Sequence, residues 1–205
     1  MERSRRGRTL HISDVERRAF RILGLLTGLL LVFGLIVSMG AVLIAAKSTS
    51  REYRIKAAFL SSFAKFVAWP ESVFENDRSP IVIAVVGEDP FKSALDGLRG
   101  KAVGRRTIEV RRVERPKDAL GAHLVFIAER ETERLADILQ AFEAAPVLTV
   151  GEAKEFTRLG GIVRFYQERN RIRFEINPDA AERVGLKLSS QLLKLARIVR
   201  DQPDR

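Results

Sequence analysis

The stretch Ile81-Val-Ile-Ala-Val-Val86, followed at once by Gly87-Glu-Asp-Pro-Phe91, sets the fold class of this chain. Its six apolar residues, mostly β-branched, have the length and composition of a strand buried on both faces. Asp89-Pro90 then reads as a helix N-cap with proline in the first helical position, and the spacing predicts a helix to about Leu98. A buried strand that runs directly into a helix is the repeating unit of a parallel sheet.

Downstream, Thr107–Val113 alternates as a strand, and His123-Leu-Val-Phe-Ile-Ala128 is a second continuous apolar run. A helix is expected over Thr132–Glu143, with Leu135, Leu139 and Phe142 on one side. A short strand comes next at Pro146–Val150, then a helix near Glu152–Leu159. Gly161–Gln167 and Arg171–Asn177 form a hairpin joined across Glu168-Arg-Asn170. Asn177-Pro178 repeats the cap-plus-proline start of a helix. The last helix is expected to carry Leu188, Leu192, Leu195 and Val199. Upstream, Ile55, Phe59, Ser62/Phe63 and Phe66 recur at helical spacing, and Pro70 stops that helix near Trp69. The result is an α/β domain over residues 53–200: a mostly parallel, mixed sheet flanked by helices on both faces, with a tail at 201–205.

Residues 1–21 carry seven arginines against three acids, and residues 22–46 contain no charge at all. As a helix those 25 residues reach roughly 38 Å, enough to cross a hydrocarbon core of about 30 Å. The segment reads as a retained transmembrane anchor or as a cleaved signal; the run is longer than a typical signal core. In either case the arginines keep residues 1–21 cytoplasmic and export the chain beyond residue 46. Arg17-Arg18 with Ala19-Phe20 also fits a twin-arginine export signal. Residues 47–52 then form a short linker. The expected location is the inner membrane, single-pass, with the C-terminal domain in the periplasm; a soluble periplasmic form after signal cleavage is the alternative.

The chain has 205 residues, a net charge of +10 and no cysteine. Lack of cysteine excludes disulfides, thiolate metal sites and a cysteine nucleophile. Two distant histidines, His11 and His123, argue against a histidine zinc site. The basic tail holds +4 of the charge, which leaves +6 on the exported part. That balance suits a membrane surface, an acidic partner or an anionic wall polymer, and not nucleic acid, which an exported domain does not meet.

Three ordered segments resemble the YfiR family of periplasmic proteins. They are Ile55-Lys-Ala-Ala-Phe59 with Phe63-Ala-Lys-Phe-Val67 and Trp69-Pro70; Val147-Leu-Thr-Val-Gly-Glu152 with Phe156 and Gly160-Gly161; and Arg173-Phe-Glu-Ile-Asn177 with Ala180-Ala181, Gly185-Leu186 and Ser189-Ser-Gln-Leu-Leu193. The resemblance covers Tyr53–Val199. It implies a regulator that binds the extracytoplasmic region of a membrane signalling protein, a diguanylate cyclase of cyclic-di-GMP signalling, and represses it. Members of the family often carry cysteines, one of them where this chain has Ala122, so control through disulfides does not apply here.

No nucleophile–base cluster, cofactor motif or metal set is found, and no catalytic, cofactor-binding or metal residue is assigned. His123 reads as a packed structural residue, Ser189-Ser190 as a cap, Trp69 as a core anchor and Gly160-Gly161 as a turn. Glu88 and Asp89 would repel a phosphate at the end of the first buried strand. The residues chosen for partner docking are Arg171 and Arg173, one face of the last strand, joined by Arg164 across the hairpin. A homodimer is a further assembly to consider. A small-solute-binding or sensor module is the alternative function, and a periplasmic enzyme ranks behind it.

Overall fold

The computed structural model describes residues 50–201. The expected cytoplasmic tail, the 22–46 segment, residues 47–49 of the linker and residues 202–205 lie outside the described residues. No helix among those described is long and apolar enough to cross a membrane.

Residues 50–66 are helical (α1), so the helix takes in the last three residues of the expected linker. It ends at Phe66, three residues before Trp69, because Val67–Ala68 (β1) turn to pair with Lys187–Leu188 (β9). The chain continues through β2 (Ile81–Val86), α2 (Ser93–Asp96), β3 (Ala102–Val103), β4 (Arg106–Val113) and β5 (Leu124–Ile127). It goes on to α3 (Leu135–Gln140), β6 (Leu148–Gly151), β7 (Val163–Glu168), β8 (Arg171–Ile176), α4 (Pro178–Arg183), α5 (Ser190–Leu193) and β10 (Arg197–Ile198). Eight strands form one sheet in the order β10-β8-β7-β6-β5-β2-β4-β3. Pairing is parallel from β4 through β2, β5 and β6 to β7, and antiparallel between β7 and β8 and between β3 and β4. This is the expected mixed, mostly parallel α/β sheet.

Every residue of β2 is buried, and its alternation feeds two cores. Ile81, Ile83 and Val85 pack with Leu60 and Phe63 of α1, with Leu95 of α2 and with Ala180 and Ala181 of α4. Val82, Ala84 and Val86 join Leu135, Ile138 and Leu139 of α3, with Phe142 and Phe156.

Several helices depart from expectation. Asp89 accepts from the Phe91 amide at 2.7 Å, closing a turn, and the helix begins at Ser93 after Lys92 at φ 51°. The helix expected over Thr132–Glu143 opens as a 3-10 turn at Glu129–Arg134 and is α-helical over Leu135–Gln140. No α-helix forms near Glu152–Leu159, where the chain makes turns instead. The last expected helix is limited to α5, capped by Ser189, whose hydroxyl accepts from Gln191 N at 3.1 Å. Leu188 lies in β9 and Leu195 is 69% exposed. Beyond α5 the chain extends so that Arg197 and Ile198 pair with Glu175 and Ile176. Covering the open side of β8 satisfies backbone groups that a longer helix would leave bare.

The turn at 152–161 exists because Phe156, fully buried, lies against the backbone of both Gly151 and Gly161. A Cβ on Gly161 would overlap the ring and sit 2.7 Å from the Phe156 carbonyl oxygen. Gly161→Ala should therefore cost about 1–3 kcal/mol by overpacking. In urea melts the double variant with Phe156→Leu should lose less than the two single changes summed, since both act on one contact.

Candidate functional site

The β7–β8 hairpin closes through Arg169 and Asn170, at φ 48° and 61°, the paired left-handed conformation of a tight two-residue turn. Register places Glu168 opposite Arg171, Tyr166 opposite Arg173 and Arg164 opposite Glu175. Alternation puts Arg171, Arg173 and Glu175 on one face of β8, but burial divides them. Arg171 and Arg173 are exposed, while Glu175 and Asn177 are buried.

Arg164 belongs with the buried half. Its side chain is 13% exposed, and its Nε donates to Glu175 Oε1 at 2.7 Å. Thr157 donates its hydroxyl to the same oxygen at 2.8 Å, and Arg197 Nε donates to Oε2 at 3.0 Å. The Arg164 and Arg197 guanidiniums also lie 5.3 and 4.8 Å from the Tyr166 ring centroid. One carboxylate thus draws together β7, β8, β10 and the Phe156 turn. Burial pushes Glu175 up, but hydrogen bonds from Arg164, Arg197 and Thr157 outweigh it and hold the carboxyl at about 2. The structure places Arg171 and Arg173 together on the surface near the turn, and Arg164 farther along the same face, largely buried against Glu175.

His123, at the head of β5, accepts the Val82 amide on Nδ1 at 3.1 Å, which puts its proton on Nε2. Its ring stacks on Phe74 with centroids 4.5 Å apart, and its carbonyl accepts from the Trp69 indole at 3.0 Å. Burial first, then Arg106 and Arg111, push His123 down to about 4. Both His123 and Trp69 anchor the core where α1 ends.

The carboxyl ends of β2 and β5, where strand connections diverge, are the usual ligand crevice of such a sheet. Here that crevice is filled. A Cβ on Gly87 (φ 87°) would lie 2.8 Å from Glu131 Oε1, so the Glu131 side chain covers the turn. Asp89 pairs with Arg112 at 2.6 Å, and Glu88 pairs with Arg130. Nearby, the buried Lys56 of α1 bonds both Glu52 and Glu152, and Tyr53 donates to Glu152 at 3.0 Å. Burial and then Glu152 raise the Tyr53 phenol. Among the described residues no group of three or more acids or histidines is placed to hold a metal. A cleft of about 460 Å³ opens between α3, α4 and the 159–162 turn, lined by Leu139, Phe142, Val147, Ile162 and Val184. Its polar rim is largely engaged, since Thr149 accepts from Ile162 N and Arg183 pairs with Asp201.

Sequence reasoning missed Glu175 as a buried hub, Lys56 as a buried clamp, and this cleft. Strand alternation assigns Glu175 to a face but says nothing of depth along the strand. Lys56 falls outside the apolar stripe of α1, and a partner 96 residues away gives no local signal.

Residues 53–197 match the family model described as YfiR/HmsC-like, and the chain belongs to that family. In general the family is regulatory, periplasmic and engaged with membrane signalling proteins.

Acid should destabilise the domain in two separable steps. The unfolded chain protonates its histidine near the ordinary 6.5, whereas folded His123 does so at about 4. Stability present above pH 6.5 is therefore lost progressively down to about pH 4. Glu175 contributes stability that is complete above the ordinary 4.5 and lost as pH falls to about 2. Each step is worth up to about 3 kcal/mol. In urea midpoints followed across pH, His123→Gln should flatten the upper step and Glu175→Gln the lower.

Proposed function

We propose that this member of the YfiR/HmsC-like family is a membrane-tethered extracytoplasmic regulator that docks on a signalling protein in the same bilayer and favours its inactive conformation. Residues 53–200 are the regulatory domain, residues 22–46 the anchor, and the partner is the extracytoplasmic region of a diguanylate cyclase. The observation that carries this reading is the presentation of Arg171 and Arg173 on a tight hairpin braced at its base by the Glu175 pairs. A rigid mount lowers the ordering cost of docking and lets two cations select an acidic counter-surface.

Tethering shapes the energetics. A domain held within a few residues of the bilayer meets a membrane partner at high effective concentration, so modest intrinsic affinity suffices. Repression then requires that the domain bind the inactive conformation more tightly than the active one. The runner-up reading is a small-solute-binding or sensor module, favoured by the cleft between α3 and α4.

Arg171→Glu/Arg173→Glu should relieve repression, read as a rise in cellular cyclic-di-GMP to the level of a strain lacking the protein. Its melting temperature should stay within a few degrees of wild type, because exposed charges contribute about 0–1 kcal/mol. Retained repression would remove the hairpin from the docking surface. Arg164→Glu should behave differently: a second carboxylate beside the buried Glu175 should cost about 3 kcal/mol or more, read in thermal melts.

A further inference from the structure

We infer that the outward face of α1 rests on the headgroups of an anionic phospholipid leaflet, so that the domain lies on the membrane in a fixed orientation. This rests on the reading of residues 22–46 as a retained span.

The exposed positions of α1 beyond its first residue are Arg51, Arg54, Ile55, Ala58 and Lys65, which fall on one stripe of the helix. The stripe is roughly 21 Å long. It carries three cations and no carboxylate. The single acid of the helix, Glu52, is turned to the buried Lys56. Between the cations, Ile55 is 40% exposed, and the partly exposed Phe59 and Phe66 border the stripe. Lys65 Nζ lies 5.6 Å from the Phe66 ring centroid. The opposite stripe, Ala57, Leu60, Phe63 and Ala64, is buried in the core. Cations flanking apolar side chains on one face, with the other face committed to protein, are the pattern of a helix lying in a bilayer interface.

Chain length fixes which surface is within reach. The uncharged segment ends at Ala46, and residues 47–49 separate it from α1. Three residues span at most about 10 Å, so α1 begins within the headgroup layer if the span is retained. A second copy of the chain is a poorer occupant. Two-fold pairing through this stripe would oppose arginine and lysine with their own counterparts and supply no acid.

The cysteine-free sequence permits a direct test on the full-length chain. Ala58→Cys, labelled with an environment-sensitive fluorophore, is reconstituted into phosphatidylcholine vesicles with and without phosphatidylglycerol. With phosphatidylglycerol the label should shift to the blue and be quenched by headgroup-spin-labelled lipid, while a label at Lys117→Cys stays in water. Each cation near an anionic surface contributes roughly a fivefold gain, so Arg51→Gln/Arg54→Gln should weaken this seating by roughly 25-fold. High salt should weaken it too. Circular dichroism of the double variant should match the wild type.

Vesicle flotation separates the two claims. A chain that floats while its position-58 label stays in water in both lipids retains the anchor reading and overturns the lipid seat. A chain that does not float overturns both. A shift that tracks protein concentration instead of phosphatidylglycerol, with disulfide cross-links between copies of the unlabelled Ala58→Cys chain, assigns the face to a dimer and overturns the proposal. So does a shift that needs the added signalling partner.

Discussion

A carboxylate taken out of water must be matched by donors, and Glu175 imposes that requirement on three otherwise separate stretches of chain. Arg164 answers from β7, Arg197 from β10 and Thr157 from the turn that precedes β7. Removing one partner would leave a buried charge short of its compensation, which is far costlier than losing a surface pair. The short final strand therefore has a reason to stay attached although it contributes two residues to the ladder. The same constraint sorts the arginines of the hairpin: Arg164, paired with Glu175, is drawn inward, and Arg171 and Arg173, nearer the turn, remain at the surface.

The carboxyl edge of the parallel strands shows a related economy of space. Many α/β sheets keep this edge open for a ligand. Here Glu131 covers Gly87, and Lys56 reaches from α1 to Glu152 just after β6. The crevice serves to seat the first helix against the sheet. That arrangement agrees with a domain whose working parts are its surfaces.

How much of this was legible depended on the range of the interactions. The β2 and β5 runs are apolar without interruption because both faces are covered, and that pattern is local, so the sheet could be read directly. Gly151, Phe156 and Gly161 stood out as a family motif, yet their joint meaning lies in one ring packed between two glycine backbones, which no periodicity encodes. The 4-3-4 spacing of Leu188, Leu192, Leu195 and Val199 misled for a related reason. The open side of β8 competed for that chain, and hydrogen bonds such as Val199 N to Ile176 O, at 2.9 Å, outweighed helix propensity. For the arginine row, period two identified the face of the strand correctly. Depth changes along β8 and is set by what packs behind each residue, so Arg164 could not be told apart from Arg171 and Arg173.

Both borders of the eight-stranded sheet are two residues long: β10 beyond β8 at one side and β3 beyond β4 at the other. A long bare strand edge is a template for unrelated chains, and each stub shortens the edge it borders: β10 covers Glu175 and Ile176 of β8, and β3 covers Arg106 and Thr107 of β4. Arg197 adds a charge to one stub, and Lys101 and Arg105 flank the other. Beyond the stubs the uncovered stretches of β8 and β4 carry Arg171, Arg173, Glu109, Arg111 and Arg112, charges that oppose pairing with another strand edge. Solubility at the sheet margins is as much a condition of function as the contact a regulator makes with its partner.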